Sequence, residues 1–144
     1  MSAPTTALAA LRAAVLARVS GDSDLAAELG DRIAWPHRVG EPSLPSMAFA
    51  YALATRYTVQ TPGAPVLADL LWTFDVDAAT PAHAEAIADR LWPVLHQAPL
   101  APDSDLARVE YTGLVNSTPL APQEGSPAKH LVTVRMLAYL KAAA

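Results

Sequence analysis

Apolar residues Leu8, Leu11, Val15 and Val19 recur at helical spacing, with Arg12 and Arg18 off the stripe, so the pattern predicts an amphipathic helix from Thr5 to Ser20. Gly21 follows as a left-handed terminator. Asp22 or Ser23 can cap a short second helix, Asp24 to Leu29, which Gly30 closes in the same way. Arg32 to Trp35 predicts a short strand stopped by Pro36, and the segment from Pro36 to Pro45, with three prolines and Gly40, reads as an irregular connection.

From Met47 the period changes to two. Met47, Phe49, Tyr51, Leu53 and Tyr57 point one way, and Ala48, Ala50, Ala52 and Ala54 the other. An alanine-rich helix is the competing reading, but it would scatter the large side chains around its circumference, which favours a strand. Thr58 to Pro65, with Pro62-Gly63, predicts a hairpin loop. On the return strand, Leu67 to Asp77, residues Leu70, Trp72, Phe74 and Val76 alternate against Asp69, Leu71, Thr73 and Asp75.

Thr80 as cap and Pro81 at the first helical position open a helix whose Ala84, Ile87, Ala88, Leu91 and Leu95 form one stripe, with Glu85 and Asp89 opposite. Pro93 removes the bond to the carbonyl of Asp89 and predicts a kink or an end there. Arg108 to Thr118 alternates Val109, Tyr111 and Val115 against Arg108, Glu110 and Asn116. His130 to Leu140 places Val132, Val134, Met136 and Leu140 inward and Thr133, Arg135 and Tyr139 outward. Between them Pro119 to Lys129, with three prolines and Gly125, predicts a loop ordered only against a partner. These one-sided elements predict an α+β fold: a mainly antiparallel β-sheet with an N-terminal helix and a central helix packed on one face. The length of 144 residues fits a single domain over residues 1–144.

Composition narrows the chemistry. With 52% apolar and 17% charged residues the chain has ample material for a core. A formal charge of −4 argues against gripping nucleic-acid phosphates. The absence of cysteine excludes disulfides, thiolate metal sites and a catalytic thiol. The longest charge-free apolar candidate, Pro42 to Thr55, is short of the roughly 20 residues that span a bilayer and carries two prolines, so no membrane partner is expected. The start Met1-Ser2-Ala3-Pro4 lacks a signal peptide's basic and leucine-rich regions, predicting a protein that stays where it is made.

Catalytic, cofactor and metal motifs are not apparent. The glycines are too far apart for a phosphate-cradling loop. His83-Ala84-Glu85 matches half of a zinc-deaminase signature whose cysteines are missing. The pairs Asp22/Asp24, Asp75/Asp77 and Asp103/Asp105 lack a third ligand and read as caps, turns or solvent-facing positions. A Ser-His-Asp arrangement from distant positions is favoured by nothing in the spacing. Trp72 reads as core, whereas Trp92 lies off its helix's apolar stripe and suits a contact with another subunit. The two long loops are surplus to a minimal domain and are candidate recognition elements.

Several segments together carry a resemblance. They are the Ala-Leu-rich first helix, Gly30-Asp31-Arg32-Ile33, Leu44-Pro45-Ser46-Met47, Leu71-Trp72-Thr73-Phe74-Asp75-Val76, Ala84-Glu85-Ala86-Ile87-Ala88-Asp89 and Leu95-His96-Gln97-Ala98-Pro99-Leu100. In this order the chain resembles the tail terminator, or tail completion, proteins of long-tailed phages and gene transfer agents. The resemblance implies a non-catalytic ring, usually of six copies, on the last disc of the tail tube. Its partners would be itself, the major tail tube protein and a head-tail connector or neck protein, with genomic DNA sliding through the lumen unbound. It would occupy the head-proximal end of the tail in the virion and the host cytoplasm before assembly. Pro93 and the length of the Pro119 to Lys129 loop depart from the family pattern.

Candidate interface residues are Gln60, Thr61, Pro62 and Gly63 in the first loop, Gln123, Glu124 and Lys129 in the second, and Trp92 as anchor. Alternatives are another phage neck or tail assembly protein of similar fold, or a small ligand-binding domain or hydrolase using His83, His96 and the Asp75/Asp77 pair.

Overall fold

The computed structural model describes residues 6–38, 40, 43–57, 65–97, 99–102 and 104–141, with only the backbone at 54–57. Helix α1 spans Ala7–Ser20 and is opened by Thr6, whose hydroxyl accepts from the N–H of Ala9. Helix α2 spans Ser23–Leu29 with Asp22 as its cap, accepting from the N–H of Leu25 at 3.1 Å. Strands β1 (Ile33–Ala34), β2 (Ser46–Tyr57) and β3 (Val66–Ala78) follow, then α3 (Pro81–Leu95), β4 (Ala107–Pro119) and β5 (Ala128–Leu140). Thr80 caps α3 as predicted, accepting from the N–H of His83 at 3.2 Å.

The strands form one sheet in the order β1-β2-β3-β5-β4, antiparallel throughout except for the parallel β1–β2 pair. This is the α+β arrangement expected. Helix α3 lies across β3, β4 and β5, while α1 and α2 pack beside it. The helical face of the sheet is the core: Met47 and Phe49 from β2, Leu70, Trp72, Phe74 and Val76 from β3, and Val132, Val134 and Met136 from β5 are all buried. They meet Leu11, Val15 and Val19 of α1 and Ala84, Ile87, Ala88, Leu91 and Leu95 of α3. Each large apolar side chain hidden this way contributes roughly 1.5–3 kcal/mol.

Several local expectations are corrected. Gly21 does not turn left-handed: its φ is −79°, and a Cβ there would sit 2.9 Å from the carbonyl oxygen of Ala17, so close approach is what favours glycine. Gly30 does take a positive φ of 55°. Helix α3 continues through Pro93 to Leu95, because the Pro93–Val94 turn is supported from outside: Arg18 Nε donates to the carbonyl of Val94 at 3.0 Å.

In β4, register shifts between Val109 and Tyr111 and between Leu114 and Asn116 each insert one residue. Val109 therefore shares the helical face with Thr112 and Leu114, while Tyr111 moves to the other face and lies over Gly113, and Val115 is 57% exposed. A similar shift between Leu53 and Thr55 ends the alternation of β2 before Tyr57, which pairs with Leu67.

The second loop is shorter than expected. β4 runs to Pro119 and β5 starts at Ala128; Leu120 N–H donates to the Lys129 carbonyl at 3.0 Å and Ser126 N–H to that of Gln123 at 3.1 Å. These bonds tie the hairpin into its own chain, so it does not need a partner for order.

Candidate assembly surfaces

Of the residues proposed from sequence, the described ones fall in three places. Gln60, Thr61, Pro62 and Gly63 lie outside the described residues. Gln123 and Glu124 are exposed on the β4–β5 turn. Lys129 is held at the start of β5 by Asp77, 2.9 Å away. Trp92 is 52% exposed on α3, with its ring 5.3 Å from that of His96. The structure does not gather these residues into one patch: Lys129 pairs with Asp77 on the face of the sheet away from the helices, whereas Trp92 sits on the helical layer.

Among the described residues no helix covers that second sheet face. Alternation in β3 and β5 brings Asp69, Leu71, Thr73, Asp75 and Asp77 beside Arg135, Thr133, Leu131 and Lys129. Its charges are matched within the chain. Arg135 makes a forked contact with Asp69, at 3.0 and 2.7 Å, and this hydrogen bonding holds the Asp69 carboxyl below the usual carboxylate range against the opposing cost of burial. Arg38 reaches Asp75 Oδ2 at 3.1 Å, Asp77 at 3.4 Å, the Ser46 hydroxyl at 3.0 Å and the Asp75 carbonyl.

Sequence reasoning missed Arg38. The signal was one arginine in the proline-rich connection before β2, with two acids on one face of β3, the strand that pairs with β2. Its contacts show how the connection runs: Trp35 stacks on Tyr51 at 5.1 Å on the helical side, with the Arg12 guanidinium 5.1 Å above the indole, and Arg38 anchors on the other side. The strap Trp35–Arg38 thus wraps the β2 edge of the sheet.

On the helical side a second ion pair ties α2 to α3. Asp22 accepts from Arg90 Nε at 2.9 Å and Nη2 at 2.5 Å, and these bonds lower its carboxyl to about 2. This pair borders a recess of about 350 Å³ lined by Ala17, Arg18, Asp22, Arg90, Pro93 and Val94. The expectation that Asp22 serves as a cap is met, with Arg90 as an added partner that sequence spacing did not reveal.

The residues that an enzyme reading would need do not converge. His83 is 2.7 Å from Glu28 at the start of α3, His96 faces β4 at the other end of that helix, and Asp75 and Asp77 lie across the sheet with Arg38. Ser117 and His130 form a 2.8 Å bond across the β4–β5 pair. No acid bonds to His130 among the described residues, so the pair lacks the orienting group of a nucleophilic triad. Among the described residues no group of three histidine or acidic side chains is placed to hold a metal ion. No helix among the described residues is long and apolar enough to cross a membrane.

No protein-family model matches the chain, and no curated protein matches it. Among solved structures, a chain of the virion of native gene transfer agent (GTA) particle is similar, with a TM-score of 0.73 and 22% identity. The match covers 92% of this chain and 97% of that one. At that identity the likeness is one of fold, extending over nearly the whole of both chains.

Proposed function

We propose that this chain is a structural subunit of a phage-like virion, and that its copies close the head-proximal end of the tail tube as a ring, usually of six. The observation that carries this reading is the two-way coverage of the match to a chain of a gene transfer agent virion, 92% of this chain and 97% of that one at a TM-score of 0.73. Support comes also from the polar inventory, in which the ionic side chains of the open face are spent on holding the fold together.

In this role geometry does the work. The ring stops addition of tube protein on one side and offers a docking surface to a head connector on the other. Genomic DNA slides through the lumen, where a basic lining would retard it by trapping phosphates. A chain of net charge −4 suits such a passage. Ring closure needs two different, complementary patches on each subunit, and Trp92 supplies one of them. The segment from Thr58 to Val66, which the sequence marks as a recognition element, is the one offered to the tube or a neighbour.

The test is removal of the gene from the producing strain, followed by negative-stain imaging of the particles. Tails of uncontrolled length that fail to join heads are expected, with six-fold rings at tube ends when the chain is restored. Normal particles in its absence would overturn the reading.

A further inference from the structure

The two edges of the sheet differ. At β4, the end of α3 closes the edge: Gln97 N–H donates to the Thr112 carbonyl at 2.8 Å, and Leu114 N–H donates to His96 Nδ1 at 3.0 Å. At β2, pairing with β1 ends at Ala34↔Ala48, and the strap from Trp35 to Arg38 turns across the edge there. Among the described residues no strand lies outside β2 from Tyr51 to Tyr57. From Tyr51 to Leu53, ahead of the register shift between Leu53 and Thr55 and of Arg56, the strand has no charge, proline or bulge of its own to protect it. Phe49 to Thr55 contains no charge, no proline and no glycine, and Leu53 is 40% exposed.

The two edges also match in height and direction. Following the register across the sheet, Tyr51 lies opposite Trp72, Trp72 opposite Val134 and Val134 opposite Leu114. By the same path Leu53 leads through Leu70 and Met136 to Thr112. The open part of β2 therefore sits level with the His96–Leu114 clasp at the far edge. Because β2 is antiparallel to β3, β3 to β5 and β5 to β4, strands β2 and β4 run in opposite directions. Setting a second copy beside the first, with its strands pointing the same way, brings one copy's His96–Leu114 clasp, and the side chains beside it, level with the other's open β2 edge. No offset along the strands is required, which is the condition for a contact that closes on itself instead of climbing as a helix.

Chemistry agrees with this placement. Beside the β4 edge stands Trp92 of α3, its ring 5.3 Å from that of the His96 bonded to Leu114; Trp92 and Val115 are 52% and 57% exposed, and β4 carries no charge from Tyr111 to Pro119. Two uncharged edges can meet without repulsion despite the negative charge of each copy. The indole N–H of Trp92 gives that edge a donor for carbonyls that β2 leaves unpaired.

We infer that the β2 edge from Tyr51 to Leu53 receives the Trp92–Val115 corner of a second copy of this chain. This rests on the ring reading above and names the contact that builds the ring.

Since the chain has no cysteine, Leu53→Cys and Val115→Cys can be introduced together and joined by a short thiol-to-thiol linker, in concentrated purified protein and in particles. A ladder of linked species ending at the ring number is expected from the double variant, and none beyond a dimer from either single variant. Leu53→Lys, placed at an exposed position, should abolish assembly while leaving the thermal midpoint unchanged. Rings that form without the double-variant ladder, or that survive Leu53→Lys, overturn the edge contact and leave the ring reading standing. A ladder in protein that is dispensable for tail ending upholds the contact and overturns the role at the tube. A chain that stays single in both settings overturns both.

Discussion

The imidazole of His96 accepts the backbone N–H of Leu114 at 3.0 Å, so the last turn of the central helix closes the outer edge of the sheet. With Gln97 N–H on the Thr112 carbonyl, two backbone groups of an edge strand that would otherwise face solvent or another chain are occupied. The Leu95-His96-Gln97 segment thereby gains a physical role.

His96→Ala removes the acceptor and leaves a half-buried N–H unpaired. The expected loss is about 1–2 kcal/mol of stability, read from urea unfolding. Amide exchange at Leu114 should accelerate more than exchange in β3. Equal acceleration in both strands would mean that His96 supports the fold as a whole and does not close the edge locally.

Asp22 couples the cap of α2 to α3 through Arg90. Its folded pKa, about 2, lies below the ordinary 3.8, so the stabilisation is fully present above about pH 4 and fades as pH falls toward 2. Asp22→Asn keeps a capping oxygen but loses the charge. Allowing for solvent screening at the 42% exposed Arg90 side chain, it should cost about 1–2 kcal/mol at neutral pH. The gap between the two proteins should narrow as pH falls from 4 through 2 in acid-unfolding curves. A gap that stays constant with pH would assign the cost to something other than the ion pair.

Pro93 leaves the carbonyl of Asp89 without its helical donor, while the turn that follows is braced by Arg18 on Val94. Pro93→Ala restores the N–H, and an increase in stability of about 1 kcal/mol or more is expected from calorimetry. A decrease would show that the ring of the proline is itself a packing element beside the Ala17–Arg90 recess.

Trp72 is 1% exposed and its indole nitrogen has no partner among the described residues. Trp72→Phe removes that orphaned donor along with some volume, so it should cost about 1 kcal/mol, against about 3–5 kcal/mol for Trp72→Ala. Thermal unfolding of the two variants measures the difference. Equal costs would show that a phenyl ring recovers nothing, and would place the value of Trp72 in features only the indole has and not in bulk or in aromatic contact with Tyr51 and Phe49, whose rings lie 5.1 and 6.2 Å away.

Trp92→Ala tests the opposite kind of residue. With half its surface exposed, the side chain contributes little to the core, so the thermal midpoint should hardly move. Assembly, followed by sedimentation and by imaging of tail ends, should fall. Intact assembly would remove Trp92 from the contact.

What could be read from the order of residues alone was everything governed by local periodicity. The alternation of Leu70, Trp72, Phe74 and Val76, the stripe from Ala84 to Leu95 and the caps at Asp22 and Thr80 depend on neighbours a few positions away, and each appears in the structure as spaced. The α+β class follows, because one-sided strands and one-sided helices have few ways to bury their apolar faces. Tertiary structure decided the rest. Bulges in β2 and β4 move Tyr111 and Val115 out of the predicted alternation, since one inserted residue inverts a period of two. Arg38 meets Asp75, Arg90 meets Asp22 and His96 meets Leu114 across 37, 68 and 18 positions of sequence. Which edge of the sheet is closed and which is left open depends on those long-range bonds, because a strand's own residues fix its faces but not its neighbours.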